Sequence, residues 1–220
     1  MPLYGRYISS DVEISVWEMT ESIEELSAGV DNSLLVEAQA FAGTERRAEW
    51  LAVRKLLKMV LGDAARIVYD SDGKPSLEGG SAHISISHTR GYVALAVSHS
   101  CPVGLDVELL SREVGAVSCR FMRDDELTGV PAELENSVKL LRWTASEAVY
   151  KLVGNLGGSY RENIVLDVAM PLRENGVLPL SLVGLRRDNG LFGVSYLFAG
   201  PLLLVVCQEA AGEPLRAVDV

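Results

Sequence analysis

Residues 83–108 read HISISHTRGYVALAVSHSCPVGLDVE, and this stretch decides the fold class. From His83 to Ser87 apolar and polar residues alternate, the period-2 mark of a half-buried strand. Tyr92 to Val97 is a continuous apolar run, so it is expected to form a second strand joined to the first by His88-Thr89-Arg90-Gly91. Val103 to Glu108 reads as a third strand. Upstream, Val12, Ile14 and Val16 alternate with polar neighbours as a strand, and Ser22 to Glu25 has capping-box form. The spacing of Trp50, Val53, Leu57, Val60 and Leu61 predicts a helix over 44–61, closed by Gly62-Asp63.

Downstream the order recurs: the strand at Val103 to Glu108, a helix from about Ser137 to Val153 closed by Gly154, then runs at 163–168, 177–185, 191–198 and 202–207. The expected fold is α+β. Two similar halves, each a strand, a helix and an antiparallel meander, meet near residue 100 as residues 1–100 and 101–220. No Ser/Gly linker separates them, so they are expected to pack as one body.

Composition excludes several functions. The chain has 220 residues, 48% hydrophobic and 23% charged, with a mean hydropathy of +0.19, which excludes a disordered or low-complexity protein. Asp and Glu number 30 against 20 Lys and Arg, a net charge of −10, so non-specific binding to nucleic acid or an anionic membrane is not expected. Cys101, Cys119 and Cys207 show no paired spacing, which suits a reducing, cytoplasmic setting. Three histidines without CxxC or HxxxH argue against a zinc site. The N-terminus shows no charged-then-apolar signal pattern. Leu191 to Cys207 is free of charge over 17 residues, near the length of a membrane span, but Gly193, Gly200 and Pro201 interrupt it. Ala199-Gly200-Pro201 reads as a turn between buried strands.

Several segments carry candidate chemistry. Strand parity puts Asp106 and Glu108 on one face, Leu105 and Val107 on the other. Two adjacent carboxylates form either a solvated face or a site for a hard divalent cation. Glu147 and Lys151 lie one helical turn apart, as a surface ion pair or as site residues beside Trp143. Helix 44–61 holds Arg46, Arg47, Arg54, Lys55 and Lys58. On a helical wheel Arg47, Arg54 and Lys58 fall within about 40°, either as a stripe for anionic groups or as partners of Glu45 and Glu49. Gly73-Lys74-Pro75 is a stiffened turn presenting a lysine, and Ser87-His88-Thr89 offers hydroxyls and an imidazole that suit phosphate or ribose oxygens.

Taken in order, Gly73-Lys74-Pro75, ISISHT at 84–89, VGLDVE at 103–108 and WTASEAVYK at 143–151 resemble the 4′-phosphopantetheinyl transferase superfamily, in its larger type with two halves in one chain. The family pattern is approximately GKP, SxSH(S/T), (V/I)GxDxE and WxxKExxxK. Arg120-Phe121-Met122 with Glu126 resembles its intervening RFF…E segment.

The resemblance implies a pseudo-two-fold body in which Asp106, Glu108 and Glu147 bind Mg²⁺. Glu147 also helps deprotonate the attacking hydroxyl, and Lys151 stabilises or protonates the leaving phosphate. Arg54, Lys74, Ser87 and His88, with Arg47, match positions that hold coenzyme A. The implied reaction moves 4′-phosphopantetheine from coenzyme A to a serine of an apo acyl or peptidyl carrier protein, in a cytoplasmic monomer with no nucleic-acid or membrane partner. An alternative is a non-catalytic coenzyme A or nucleotide binder descended from that family. Another is a structural partner protein without a ligand, its acidic pair and basic helix facing solvent separately. One position departs from the pattern: Ser146 stands where the family has lysine. If Ser146 faces the pyrophosphate, Ser146→Lys should raise the rate, unless Lys139 or Arg142 already supplies the charge.

Overall fold

The computed structural model describes residues 3–155, 158–183 and 192–218. Strands β1 (Leu3–Ser9) and β2 (Val12–Glu18) are followed by short helices α1 (Ile23–Ser27) and α2 (Asn32–Gln39) and the long helix α3 (Thr44–Leu61). A ribbon of β3 (Ile67–Tyr69) and β4 (Pro75–Leu77) leads into β5 (His83–Thr89) and β6 (Tyr92–Ser98). After β7 (Val103–Leu109) come 3-10 turns at 115–120 and 132–134, helix α4 (Glu135–Val153) and the single turn α5 (Tyr160–Asn163). The chain continues through β8 (Ile164–Leu166), β9 (Asn175–Leu178), β10 (Leu180–Leu182), β11 (Gly193–Ala199), β12 (Leu202–Gln208) and β13 (Arg216–Val218).

The α+β expectation holds. One antiparallel sheet has the order β13-β1-β2-β6-β5 and a second the order β7-β12-β11-β9. Their inner faces share a core: Ile14, Val16, Ala94 and Ala96 meet Leu105, Val107, Leu204 and Val206. The outer face of the first sheet packs under α3, where Val93 and Leu95 join Trp50 and Leu56. The outer face of the second packs under α4, with Leu203 and Val205 against Leu141 and Ala148. Tyr92 to Val97 and Leu202 to Cys207 are continuous apolar runs because these strands are buried on both faces, between the other sheet and a helix.

Edge strands β5 and β7 face each other without a backbone ladder. The Leu105 N–H donates to Ser85 Oγ at 2.8 Å and the Val107 N–H to Ser87 Oγ at 3.1 Å. Pairing rises together in both strands, so they run parallel along the seam. Buried backbone N–H groups need acceptors, and the alternating serines of ISIS supply them. Here the polar half of the alternation closes a seam rather than facing water, since Ser85 and Ser87 are both buried.

Gly104 fixes how α4 sits on β7. A Cβ there would lie 2.1 Å from the Ala148 carbonyl oxygen and 2.7 Å from the Leu152 nitrogen. Gly104→Ala is therefore expected to cost about 3 kcal/mol, the upper range for overpacking, read as a lower melting temperature.

Some boundaries differ from expectation. β5 runs through His88 and Thr89, which pair with Val93 and Tyr92, so Arg90-Gly91 alone makes the turn. Gly91, at φ +79°, supplies the left-handed conformation at the second turn position, where glycine meets no steric cost. The run at 177–185 splits at Pro179 into β9 and β10, which belong to different sheets, and residues 184 and 185 lie outside the described residues. Leu191 also lies outside them, while β11 and β12 form the expected hairpin across Gly200-Pro201. β1, α2 and β13 were not anticipated. Arg216 to Val218 return to pair with Ile8 to Arg6 at the edge of the first sheet. Among the described residues no helix is long and apolar enough to cross a membrane, and Cys101, Cys119 and Cys207 are free.

Candidate active site

A cleft of about 360 Å³ opens over the seam and takes side chains from both sheets and both long helices. From the first half it gathers Arg54, Ser87 and His88; from the second, Asp106, Glu108, Glu147 and Lys151. A larger cavity, about 1520 Å³, lies between α2, α3 and β3; its charges are mixed and it contains none of the acidic residues of the seam.

The acidic wall is set by strand parity. Asp106 and Glu108 project from the α4 side of β7 and are 6% and 4% exposed. Asp106 Oδ1 accepts from Ser87 Oγ and from Lys151 Nζ, both at 2.8 Å. Among the described residues Asp106 Oδ2 is buried without a partner. Glu108 accepts from Arg112, from Trp143 Nε1 at 3.1 Å and from Thr89 Oγ1 at 3.4 Å. Lys151 also donates to the Leu105 carbonyl at 2.9 Å. Burial, then the charge of Asp106, raises the pKa of Glu147, against Lys151 and a hydrogen bond from the Tyr160 hydroxyl. Three carboxylates thus share one wall with two resident cations. Among the described residues no three His, Cys, Asp or Glu side chains stand close enough to enclose a metal ion. A buried carboxylate oxygen without a donor is nonetheless costly, and Asp106 Oδ2, a hard oxygen ligand on the wall that also carries Glu108 and Glu147, suits a cation such as Mg²⁺.

The basic stripe of α3 does not act as one surface. Arg54 faces the cleft, its guanidinium 3.5 Å from the Trp50 ring centroid and hydrogen-bonded to the Tyr69 hydroxyl at 3.2 Å. Arg47 turns away and donates to the Phe41 carbonyl at 3.0 Å; Lys58 pairs with Asp63 at 2.7 Å. The cleft residue is Arg46, one position and about 100° round the helix from Arg47. Arg46 contacts buried Glu49 at 3.0 Å and His88 Nε2 at 2.7 Å, and His88 Nδ1 lies 3.2 Å from Glu49. Burial holds the His88 pKa below its ordinary value, with Arg46 and Lys151 adding to it and Glu49 opposing. Lys74 crosses the seam to donate to the Leu152 carbonyl at 2.7 Å, capping the α4 C-terminus, where a cation is favoured. The flanking Gly73 and Pro75 line the cleft.

Ser146 does not face the cleft. It is fully buried on another face of α4 from Glu147, where its hydroxyl accepts from Arg142 at 2.9 Å and donates to the Arg142 carbonyl at 2.8 Å. Arg142 is itself 0% exposed, pairing with Glu126 at 2.7 Å and donating to the Ile164 carbonyl at 2.6 Å. The expectation that Ser146 leaves a charge missing beside a reacting pyrophosphate is thereby corrected.

Arg46, Glu49, Arg112 and Tyr160 are cleft or near-cleft residues that the sequence did not single out for a role in the site. The capping box of Ser159 and Glu162 that starts α5 was the available signal for Tyr160.

An acidic wall facing clustered cations and an imidazole across a seam suits chemistry on a polyphosphate. No family model matches the chain. It is 30% identical over 155 residues to the 4′-phosphopantetheinyl transferase AcpT of Salmonella typhi, covering 68% of this chain and 78% of the relative. It is 25% identical over 199 residues to the 4′-phosphopantetheinyl transferase HetI of Nostoc sp., covering 80% and 84%. The chain belongs to the 4′-phosphopantetheinyl transferases.

Proposed function

We propose that the chain transfers 4′-phosphopantetheine from coenzyme A to a serine of an apo acyl or peptidyl carrier protein, in a Mg²⁺-dependent reaction. The observation that carries this is the cleft itself, which collects from both halves the residues the chemistry requires. Arg54 and His88 take the nucleotide end, together with Arg46, and Ser87 anchors Asp106. Lys74 belongs with them through the loop it stiffens. Asp106, Glu108 and Glu147 would hold Mg²⁺ once Glu108 and Glu147 draw in toward Asp106 Oδ2, and the bound ion would screen the charge of the pyrophosphate.

The serine oxygen attacks the pantetheine-side phosphorus, the new P–O bond forms and the pyrophosphate P–O bond breaks. The serine proton passes to the Glu147 carboxylate, whose raised pKa suits a base. Adenosine 3′,5′-bisphosphate leaves with added negative charge, which Lys151 neutralises. The ammonium already sits at the wall, 2.8 Å from Asp106. The departure at Ser146 lends no support to a non-catalytic binder, because Ser146 is buried away from the cleft.

Residues 1–100 and 101–220 act as two similar halves related by a pseudo-two-fold axis, each sheet carrying one long helix on its outer face. We read the protein as a monomer, and the three free cysteines suit the cytoplasm. The test is incubation with coenzyme A, Mg²⁺ and an apo carrier, read by intact mass. A gain of one phosphopantetheine per carrier is expected, lost on chelation of the metal. An unchanged carrier mass at several carrier types would overturn the proposal.

A further inference from the structure

Glu49 presents a paradox. It is 7% exposed and lines the cleft assigned to an anionic ligand, where a carboxylate repels that ligand and is costly to bury. Its contacts explain its presence. One oxygen, Oε2, lies 3.0 Å from Arg46 Nη1 and the other, Oε1, lies 3.2 Å from His88 Nδ1. Arg46 Nη1 also approaches His88 Nε2 at 2.7 Å. A guanidinium has no acceptor atom, so this last contact requires an unprotonated Nε2. The imidazole proton then sits on Nδ1, the nitrogen that lies 3.2 Å from Glu49 Oε1. The three groups close a ring from α3 to β5, and Arg46 is the member with donors left over for an incoming anion.

We propose that Glu49 is a positioning residue: its buried carboxylate fixes His88 in the Nδ1–H tautomer and holds the Arg46 guanidinium at the cleft, assembling the anion-facing end of the site before the nucleotide arrives. This rests on the assignment of that end to coenzyme A under Proposed function. Its benefit is preorganisation. The Arg46 side chain is half-exposed, and a long exposed side chain loses rotamer freedom when it must be ordered by the ligand itself.

Preorganisation and bare electrostatics predict opposite signs. Removing a negative charge from an anion site should tighten binding by Coulomb's law alone. Loss of a positioning carboxylate weakens it. The experiment is calorimetric titration of the full chain with adenosine 3′,5′-bisphosphate, comparing the parent with Glu49→Gln and Glu49→Ala. Alongside it, the side-chain ¹⁵N shifts of His88 are recorded without ligand, assigned through His88→Ala. Binding is expected to weaken about tenfold in both variants, KM for coenzyme A to rise in proportion, and kcat to change less. The parent should show His88 protonated at Nδ1, and Glu49→Ala a mixture of tautomers. Equal or tighter binding in both variants, or a parent His88 protonated at Nε2, overturns the positioning role. A parent that shows the Nδ1–H tautomer yet fails to bind adenosine 3′,5′-bisphosphate instead overturns the nucleotide assignment, and the inference falls with it.

Discussion

Asp106→Ala is expected to lower kcat/KM for phosphopantetheine transfer by about 1000-fold or more, equivalent to about 4 kcal/mol of transition-state stabilisation. Three features of Asp106 lead there. Its Oδ2 is a buried, unpartnered oxygen on the acidic wall, the atom with most to gain from a cation. Its Oδ1 holds the Lys151 ammonium on the same wall, and Ser87 locks its orientation. The same substitution should cost little folding stability without metal, because it also removes a charge that, after burial, raises the Glu147 pKa. Two carboxylates that share a buried wall repel one another. The parent melting temperature should rise on adding Mg²⁺, since a ligand of the folded state stabilises it, and that rise should vanish in the variant. Asp106→Asn, which preserves shape and removes charge, should lose transfer to the same degree. If Asp106→Asn keeps more than a tenth of the parent rate at saturating Mg²⁺, the assignment of Asp106 as a metal ligand is wrong.

The parts of this site legible in the sequence were those that a local period encodes. Period 2 placed Asp106 and Glu108 on one face of β7, and period 3.6 placed Glu147 and Lys151 together on α4. Helix α3 was found from Thr44 to Leu61 for the same reason. What stayed hidden depends on tertiary partners. Arg46 and Arg47 are adjacent, and a helical wheel cannot say which of them meets β5. The wheel favoured Arg47 for its alignment with Arg54, whereas the bend of the chain before α3 gives Arg47 the Phe41 carbonyl. The period-2 alternation marked β5 as a half-buried strand without saying what its serines face. Here their far side meets another strand edge rather than water. β13 carries three residues, and only its distant partner β1 makes it a strand.

Ser146→Lys is expected to lower folding stability by about 3–5 kcal/mol, the scale of an uncompensated buried charge, and to leave the transfer rate no higher. Position 146 has no access to solvent or to the cleft, and its hydroxyl is bracketed by the Arg142 guanidinium and the Arg142 carbonyl. A lysine there would set a second cation against Arg142 with Glu126 as their shared counter-ion, in a space packed for a hydroxyl. Residues 142 and 146 stand one turn apart on one helical face, so either can present a cation to Glu126. The pair Arg142→Ser with Ser146→Lys should therefore recover most of the stability that either single change loses, a coupling that a double-mutant cycle measures. Arg142, one turn back from position 146, is the buried cation on this face of α4. From there it ties the loop carrying Glu126 and the Ile164 carbonyl to the helix that carries Glu147 and Lys151. Denaturant melts of the three variants and steady-state rates below their midpoints provide the check. A single Ser146→Lys variant with parental stability and a faster rate would show that residue 146 reaches the pyrophosphate after all.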